Sequence, residues 1–178
     1  MLLLWAVVIY NRLVAKRQSV EEGWSGIDVQ LKRRTNLIPN LVDTVQTYAT
    51  HEREVLERVT TLRTKSEAVQ SSSAGERSVV ESDLSGALVN LMAVAESYPD
   101  LKADRNYLAL QETLEEIEDH IQMSRRYYNG AVRNLNIQID SFPCRLVAGR
   151  FGFIKATYYE VDSLKDRAVP KISGGQVT

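Results

Sequence analysis

Apolar residues recur in alternating steps of four and three from Val20 to Leu62, and this spacing constrains the fold more than any other feature of the sequence. Thirteen positions fall on the pattern, and all but Arg34 and Glu52 are apolar. A repeat of 3.5 residues predicts α-helix packed with left-handed, coiled-coil-like geometry. Pro39 deletes one backbone hydrogen bond inside this pattern. Because the heptad phase continues across it, the sequence predicts one kinked helix that ends near Glu67.

Two further long helices follow by the same reasoning. The second is predicted over 76–97 and the third over 105–141, with Tyr98-Pro99 and Phe142-Pro143 as their stops. The predicted core stripe of the second helix is Val80, Leu84, Ala87, Leu91, Val94 and Tyr98. A short helix over 145–150 comes next, and residues 153–161 fit either an extended strap or another short helix. The chain is therefore predicted to be all-α, an elongated antiparallel bundle of three long helices plus a shorter C-terminal helical element.

The first ten residues, MLLLWAVVIY, form an unbroken apolar run. Ten helical residues rise only about 15 Å, whereas a bilayer core needs about 20 residues. Interfacial aromatics and the basic Arg12, Lys16 and Arg17 nevertheless favour a membrane anchor over residues 1–17, with its start missing, rather than a buried start of the core helix. The predicted anchor residues are Leu2, Leu3, Leu4, Trp5, Val7, Val8 and Ile9. The bundle is then expected over 18–170 and a disordered tail over 171–178.

The charge is balanced overall but unevenly distributed. The net charge of −1 leaves no basic excess to hold nucleic acid, whereas residues 67–124 carry 3 basic and 12 acidic side chains. This pattern fits either internal complementarity within the bundle or a polarised surface that contacts a partner. The two histidines lack metal-ligand spacing, Cys144 stands alone, and no glycine-rich phosphate loop occurs. The sequence therefore predicts no metal, no cofactor and no catalytic residue.

Arg34 and Glu52 occupy heptad core positions, where a charge is costly unless it is paired. Each is therefore expected to have a partner on a neighbouring helix, with Arg125 or Arg126 as the candidate for Glu52. Other polar residues that could extend this network or lie beside it are Asn36, Asn40, Asn136, Tyr128 and Asn129, with Pro39 nearby in the motif. Such a cluster either fixes the register of the helices or forms a ligand site.

Several blocks of residues together resemble the LemA family. They include Tyr10-Asn11-Arg12, the stretch from Trp24 to Arg34, Asn36-Leu37-Ile38-Pro39-Asn40, Tyr98-Pro99-Asp100-Leu101-Lys102, Arg126-Tyr127-Tyr128-Asn129 and Phe142-Pro143. These blocks run in the expected order over residues 10 to about 160. The resemblance implies a bacterial, membrane-anchored helical bundle with one N-terminal transmembrane segment and no established enzymatic activity. The apolar run here is shorter than is usual in that family.

Two functions remain open from the sequence. The first is a non-enzymatic interaction or scaffold module, tethered to the lipid of the bacterial cell membrane by its N-terminus and contacting an unidentified protein partner. The second is a sensor or enzyme that binds a ligand or ion at Arg34, Glu52 and Arg125. The basic residues after the apolar run predict a single-pass protein with its bundle in the cytoplasm.

Overall fold

The computed structural model describes residues 2–160, with side chains from residue 4 onward. Six helices follow one another: α1 Leu2–Tyr48, α2 Arg53–Ala68, α3 Ala74–Ala95, α4 Pro99–Lys102, α5 Arg105–Asp140 and α6 Cys144–Arg150. No strand occurs among these residues, which confirms the all-α prediction. The end of the predicted bundle, 161–170, and the predicted tail, 171–178, lie outside the described residues.

The prediction of one helix from Val20 to about Glu67 is wrong, because the chain reverses at residues 49–52. Helix α1 passes through Pro39 and ends at Tyr48, and α2 then folds back beside it. Tyr48 is 36 % exposed, whereas the heptad positions before it, Ile38, Leu41 and Val45, are buried. The reversal lets Val59 and Leu62 of α2 pack into the same core, since a continued straight helix would carry them away from it.

The helices form a head and a stem. Contacts of Tyr48 with Asp104 and of Arg34 with Glu118 show that α5 runs antiparallel to α1 along its length. The second half of α1, α2, α3 and the first half of α5 form a four-helix head with its own apolar core. The first part of α1 and the last part of α5 continue as a two-helix stem, against which α6 packs. Gly23 allows close approach in this stem, because a Cβ there would lie 3.0 Å from Tyr128 Cα.

Residues 153–160 form an extended strap along the stem, which selects between the two alternatives left open for this segment. The side chain of Asn129 accepts a hydrogen bond of 2.9 Å from the N–H of Tyr159 and donates one of 3.0 Å to its carbonyl. The side chain of Asn136 makes the same two hydrogen bonds, at the same distances, to the N–H and carbonyl of Ala156. Seven helical residues rise about 10.5 Å, which is about the length of three extended residues. The two asparagines therefore match the strap in register, and Tyr128 Oη adds a hydrogen bond to the carbonyl of Thr157.

Pro39 is accommodated by a side chain from α2. In an unbroken helix the N–H of residue 39 would donate to the carbonyl of Thr35, and proline has no N–H. Arg63 Nε donates to that carbonyl at 3.1 Å instead. Thr35 is 3 % exposed, so water is a poor substitute donor. The missing helical hydrogen bond is thus replaced by one that also joins α1 to α2.

Helix α3 buries three of the six residues of its predicted core stripe, Leu84, Ala87 and Leu91. The buried heptad positions are Arg77, Glu81, Leu84, Leu88, Leu91 and Ala95. Val80, Val94 and Tyr98, which were expected in the core, are only half-buried. By length and composition α3 is the one described helix that is apolar enough to cross a membrane, with a mean hydropathy of 1.2. Its buried Arg77 and Glu81 instead identify it as a core helix of the head.

Candidate functional site

A cluster of buried charges lies where the head meets the stem. Arg34 of α1 is 1 % exposed, and Arg77 and Glu81 of α3 are 2 % and 3 % exposed. Charged side chains are rarely buried to this degree unless they are paired. Glu118 of α5 and Asp28 of α1, both partly exposed, complete what we call the ion cluster.

Arg34 is the centre of the ion cluster and joins three helices. Its Nη2 donates to the carboxylate of Glu81, and its Nη1 lies 2.6 Å from Glu118 Oε1 and 2.6 Å from Ser85 Oγ. Burial alone would lower the pKa of Arg34, but the attraction of Glu118 and Glu81 outweighs it and holds that pKa above its ordinary value. Arg34 therefore stays charged at any pH at which the chain is folded.

Glu81 and Arg77 extend the ion cluster. Glu81 Oε1 accepts a hydrogen bond of 2.7 Å from Ser66 Oγ of α2 and lies 3.8 Å from Arg77 Nε. Arg77 Nη1 pairs with Asp28 Oδ1 at 2.7 Å, and the guanidinium lies over the ring of Trp24 with 5.5 Å to its centroid. The Nε atoms of Arg34 and Arg77 are buried and make no hydrogen bond to any described residue. Every carboxylate in the cluster thus faces a guanidinium.

The space left inside the ion cluster is small. A cavity of about 20 Å³ remains between Arg34, Glu81, Glu118 and Arg125, with Tyr159 of the strap closing one side. This is about the room one water molecule needs. Burial beside these groups raises the pKa of Tyr159 to about 12. A metabolite-sized ligand therefore does not fit within the ion cluster.

Glu52 does not belong to the ion cluster, which corrects the expectation that it is a buried ion paired with Arg125. It is half-buried at the start of α2, in the turn that the heptad pattern did not reveal. Its Oε1 accepts a hydrogen bond of 3.2 Å from Tyr98 Oη. Arg34, by contrast, does lie in the core with carboxylate partners on α3 and α5.

Arg125 lies next to the ion cluster without pairing to any described carboxylate. Its guanidinium lies over the ring of Tyr159, with 5.3 Å to the centroid, and burial lowers its pKa. With Arg126 and Arg133 it lines a shallow surface groove of about 380 Å³ that ends at Tyr158. We call this the arginine groove.

The other predicted polar residues divide between the surface and the strap. Asn36 and Asn40 are exposed, and Pro39 is half-buried beside Arg63, as described above. Tyr128 and Asn129 hold the strap and do not reach the ion cluster directly. Among the predicted anchor residues, Leu4, Trp5, Val7 and Val8 are exposed, whereas Ile9 is 6 % exposed and packs in the stem core. Leu2 and Leu3 begin α1, and their side chains are not described.

Sequence reasoning missed the partners of Arg34. Glu81 and Arg77 are four residues apart in α3 and look like an exposed helical ion pair. A signal was nonetheless present, because steps of four and three from Arg77 reach Glu81, Leu84, Leu88, Leu91 and Ala95. In that phase the second predicted helix carries Arg77 and Glu81 on its core face. Glu81 is then a candidate partner for Arg34, the charge on the core face of α1.

Comparison with known proteins places the chain among its relatives. It is similar to "Magnetosome protein MamQ 2" of Paramagnetospirillum magneticum, 29% identical over 85% of this chain and 64% of the relative. It is 24% identical to "Magnetosome protein MamQ" of Magnetospirillum gryphiswaldense over 84% of this chain and 64% of the relative. Its identity to "Protein LemA" of Metamycoplasma hominis is 27% over 87% of this chain and 70% of the relative. The chain thus spans a little under two thirds of the length of the MamQ proteins.

The family comparison covers most of the sequence. The model of the LemA family matches residues 23–173, which include the ion cluster, both asparagines that hold the strap, and the strap itself. The blocks of residues that carry the resemblance lie largely within this match. On that basis the chain belongs to the LemA family.

Proposed function

We propose that this chain is a membrane-tethered interaction module without catalytic activity, whose helical head presents an acidic surface to a protein partner. The ion cluster is the observation that carries the proposal. Its charges are matched within the chain, and about 20 Å³ is left between them. Such a cluster serves to join helices rather than to receive a substrate.

The head offers a surface suited to a protein. Between α3 and α5 runs a groove of about 380 Å³, lined by the apolar Leu88, Val89, Met92 and Leu114. Glu115 and Glu118 lie at its edge, and residues 31–124 carry 10 basic and 16 acidic side chains. An apolar groove with acidic edges suits an amphipathic helix with basic flanks. We call this the α3–α5 groove.

The tether is proposed from the opposite end of the molecule. Helix α1 starts with a run of apolar side chains, of which Leu4 is 68 % exposed and Val8 50 % exposed. Exposed apolar surface of this kind suits lipid better than water. With Arg12, Lys16 and Arg17 directly after the run, we propose a single-pass attachment to the bacterial cell membrane with the head in the cytoplasm.

Site-specific photo-crosslinking in cells tests the partner-binding surface. A photoreactive residue at Val89, which is 68 % exposed in the α3–α5 groove, is expected to give one discrete protein adduct. The matched control is Val29 of α1, which is 53 % exposed and lies outside that groove. Adding Glu115→Lys to the Val89 variant should abolish the adduct. Equal adducts from both positions, or none from Val89, would contradict the proposed surface.

The alternative function, a ligand- or ion-binding sensor, rests on the arginine groove. Arg125, Arg126 and Arg133 face it without a carboxylate partner among the described residues. Titration with inorganic phosphate, followed by thermal unfolding, separates the two functions. Saturable stabilisation that is lost in Arg126→Gln would favour the sensor. A flat response would favour the interaction module.

A further inference from the structure

We propose that the end of the stem formed by α6 and the start of the strap lies on the membrane and contacts anionic lipid headgroups. This inference rests on the proposed membrane tether and adds a second point of attachment. Because two points of attachment restrict rotation of the stem about α1, they would fix its orientation on the membrane more firmly than the helical anchor alone.

Large apolar side chains are exposed at this end of the stem. Phe142 and Ile154 are 84 % and 83 % exposed, and Leu146 and Phe151 are 65 % and 59 % exposed. Helix α6 buries Val147 and Ala148 against the stem, which leaves Leu146 on its outer face. Four such side chains within 13 residues exceed the scattered exposure found on ordinary surfaces. We call these four residues the apolar platform.

The apolar platform is continuous with the apolar start of α1. The rings of Tyr10 and Phe151 lie 5.0 Å apart, and those of Tyr10 and Phe153 lie 5.7 Å apart. Tyr10 is the last residue of the apolar run, so the platform begins at the height at which that run ends. Aromatic residues at this height match the interfacial region of a bilayer.

Basic residues surround the apolar platform. Arg145 and Arg150 lie on α6, both exposed, and Arg12 is exposed on α1 two residues beyond the apolar run. Lys155 is also exposed but pairs with Asp140 at 2.7 Å. Together, residues 2–30 and 125–160 carry 9 basic and 5 acidic side chains, opposite in sign to the head. Apolar side chains bordered by arginine are typical of surfaces that bind anionic lipid.

Fluorescence quenching by lipid tests this contact in the full chain. Cys144 is replaced by Ser, and an environment-sensitive fluorophore is attached at Leu146→Cys. The matched control is Val89→Cys in the head, where exposure is 68 % against 65 % at Leu146. The chain is reconstituted into vesicles of phosphatidylcholine and phosphatidylglycerol. A fraction of the lipid carries a nitroxide quencher in the headgroup or the upper acyl chain. At least a threefold stronger quenching at 146 than at 89 is expected.

Four results would overturn the proposal in whole or in part, and they are distinguishable. Equal quenching at both positions in a chain that floats with the vesicles leaves the tether intact and refutes the platform. A chain that does not float refutes the tether as well. If the fluorophore at 146 reports an apolar environment that depends on protein concentration and not on lipid, the platform contacts a second copy of the chain instead. For the charge, Arg145→Gln with Arg150→Gln should reduce quenching at 146 at least twofold, and an unchanged value would refute the role of anionic headgroups.

Discussion

The hydrogen bond from Arg63 to Thr35 gives a prediction that depends on a second residue, Pro39. Arg63→Met keeps the length of the side chain but removes the donor to the Thr35 carbonyl. An unpartnered buried carbonyl costs about 1–3 kcal/mol. Arg63 also pairs with Glu67 at 2.8 Å on the surface, and an exposed pair four residues apart contributes about 0.3–0.5 kcal/mol. Arg63→Met should therefore lower the free energy of unfolding by about 1.3–3.5 kcal/mol.

The same change should be almost harmless when Pro39 is replaced by alanine. Alanine supplies the N–H that the Thr35 carbonyl lacks, so the helix closes its own hydrogen bond. In the Pro39→Ala background, Arg63→Met should lower the free energy of unfolding by only the few tenths of a kcal/mol that the ion pair with Glu67 contributes. The coupling energy between the two sites should exceed about 1 kcal/mol, against about 0.3–0.5 kcal/mol for independent sites.

The measurement is urea unfolding of the full chain in a mild detergent, followed by circular dichroism for the four members of the cycle. Glu67→Ala is the control, since it removes the surface ion pair and leaves the Thr35 contact. If Arg63→Met costs the same with proline and with alanine at 39, the donated hydrogen bond does not replace the missing helical one. Helix α1 would then continue through Pro39 without help from Arg63.

Four further predictions follow from the ion cluster, the strap and the charge distribution. Arg34→Met leaves the buried Glu81 with only the more distant Arg77 as a cationic partner and should cost about 3–5 kcal/mol in urea unfolding, whereas Glu52→Ala should cost less than about 1 kcal/mol. Asn136→Leu removes both hydrogen bonds to Ala156 and should make trypsin cleave after Lys155 faster, with the exposed Asn134→Leu unchanged. Because burial raises the pKa of Tyr159 from 10.0 to about 12, the folded chain binds that proton more tightly than the unfolded chain. The stability that this proton contributes is full below pH 10 and is lost as the pH rises to 12. Over this range the free energy of unfolding of the wild-type chain should therefore fall by up to about 2–3 kcal/mol more than that of Tyr159→Phe. Protease added to intact spheroplasts should leave the head uncut, and its complete digestion would mean the opposite membrane orientation.

The helical class and most of the core could be predicted from the sequence because both follow from periodicity. The heptad places Ile27, Leu31, Ile38, Leu41 and Val45 correctly in the core. The reversal at residues 49–52 could not be found in this way. It contains neither glycine nor proline, and the apolar heptad resumes in the same phase at Val55, with only Glu52 interrupting it. A heptad pattern shows which face of a helix is apolar. It does not show whether the helix continues straight or the chain reverses and a second helix packs beside the first.

The polar contacts were less predictable than the core, for a related reason. The sequence shows that Pro39 must leave the Thr35 carbonyl without its helical donor, but it does not show that Arg63 supplies one. Similarly, Arg34 and Glu52 both occupy core positions of the heptad, and only the fold separates a buried ion from a half-buried one. Each partner depends on which helices pack side by side, and that arrangement follows from the whole chain.

The ion cluster gives the head a means of fixing the register of its helices. Replacing buried ion pairs by apolar residues is often neutral or stabilising, so their presence alone does not explain stability. Arg34 bonds to α3 and α5 together, and Glu81 is bonded to both α1 and α2. Sliding one helix by a heptad moves its side chains about 10.5 Å. That shift still matches apolar residues with apolar residues, but it leaves buried arginines without carboxylates. The repetitive apolar pattern allows several registers, and the four charged groups Arg34, Arg77, Glu81 and Glu118 disfavour all but one of them.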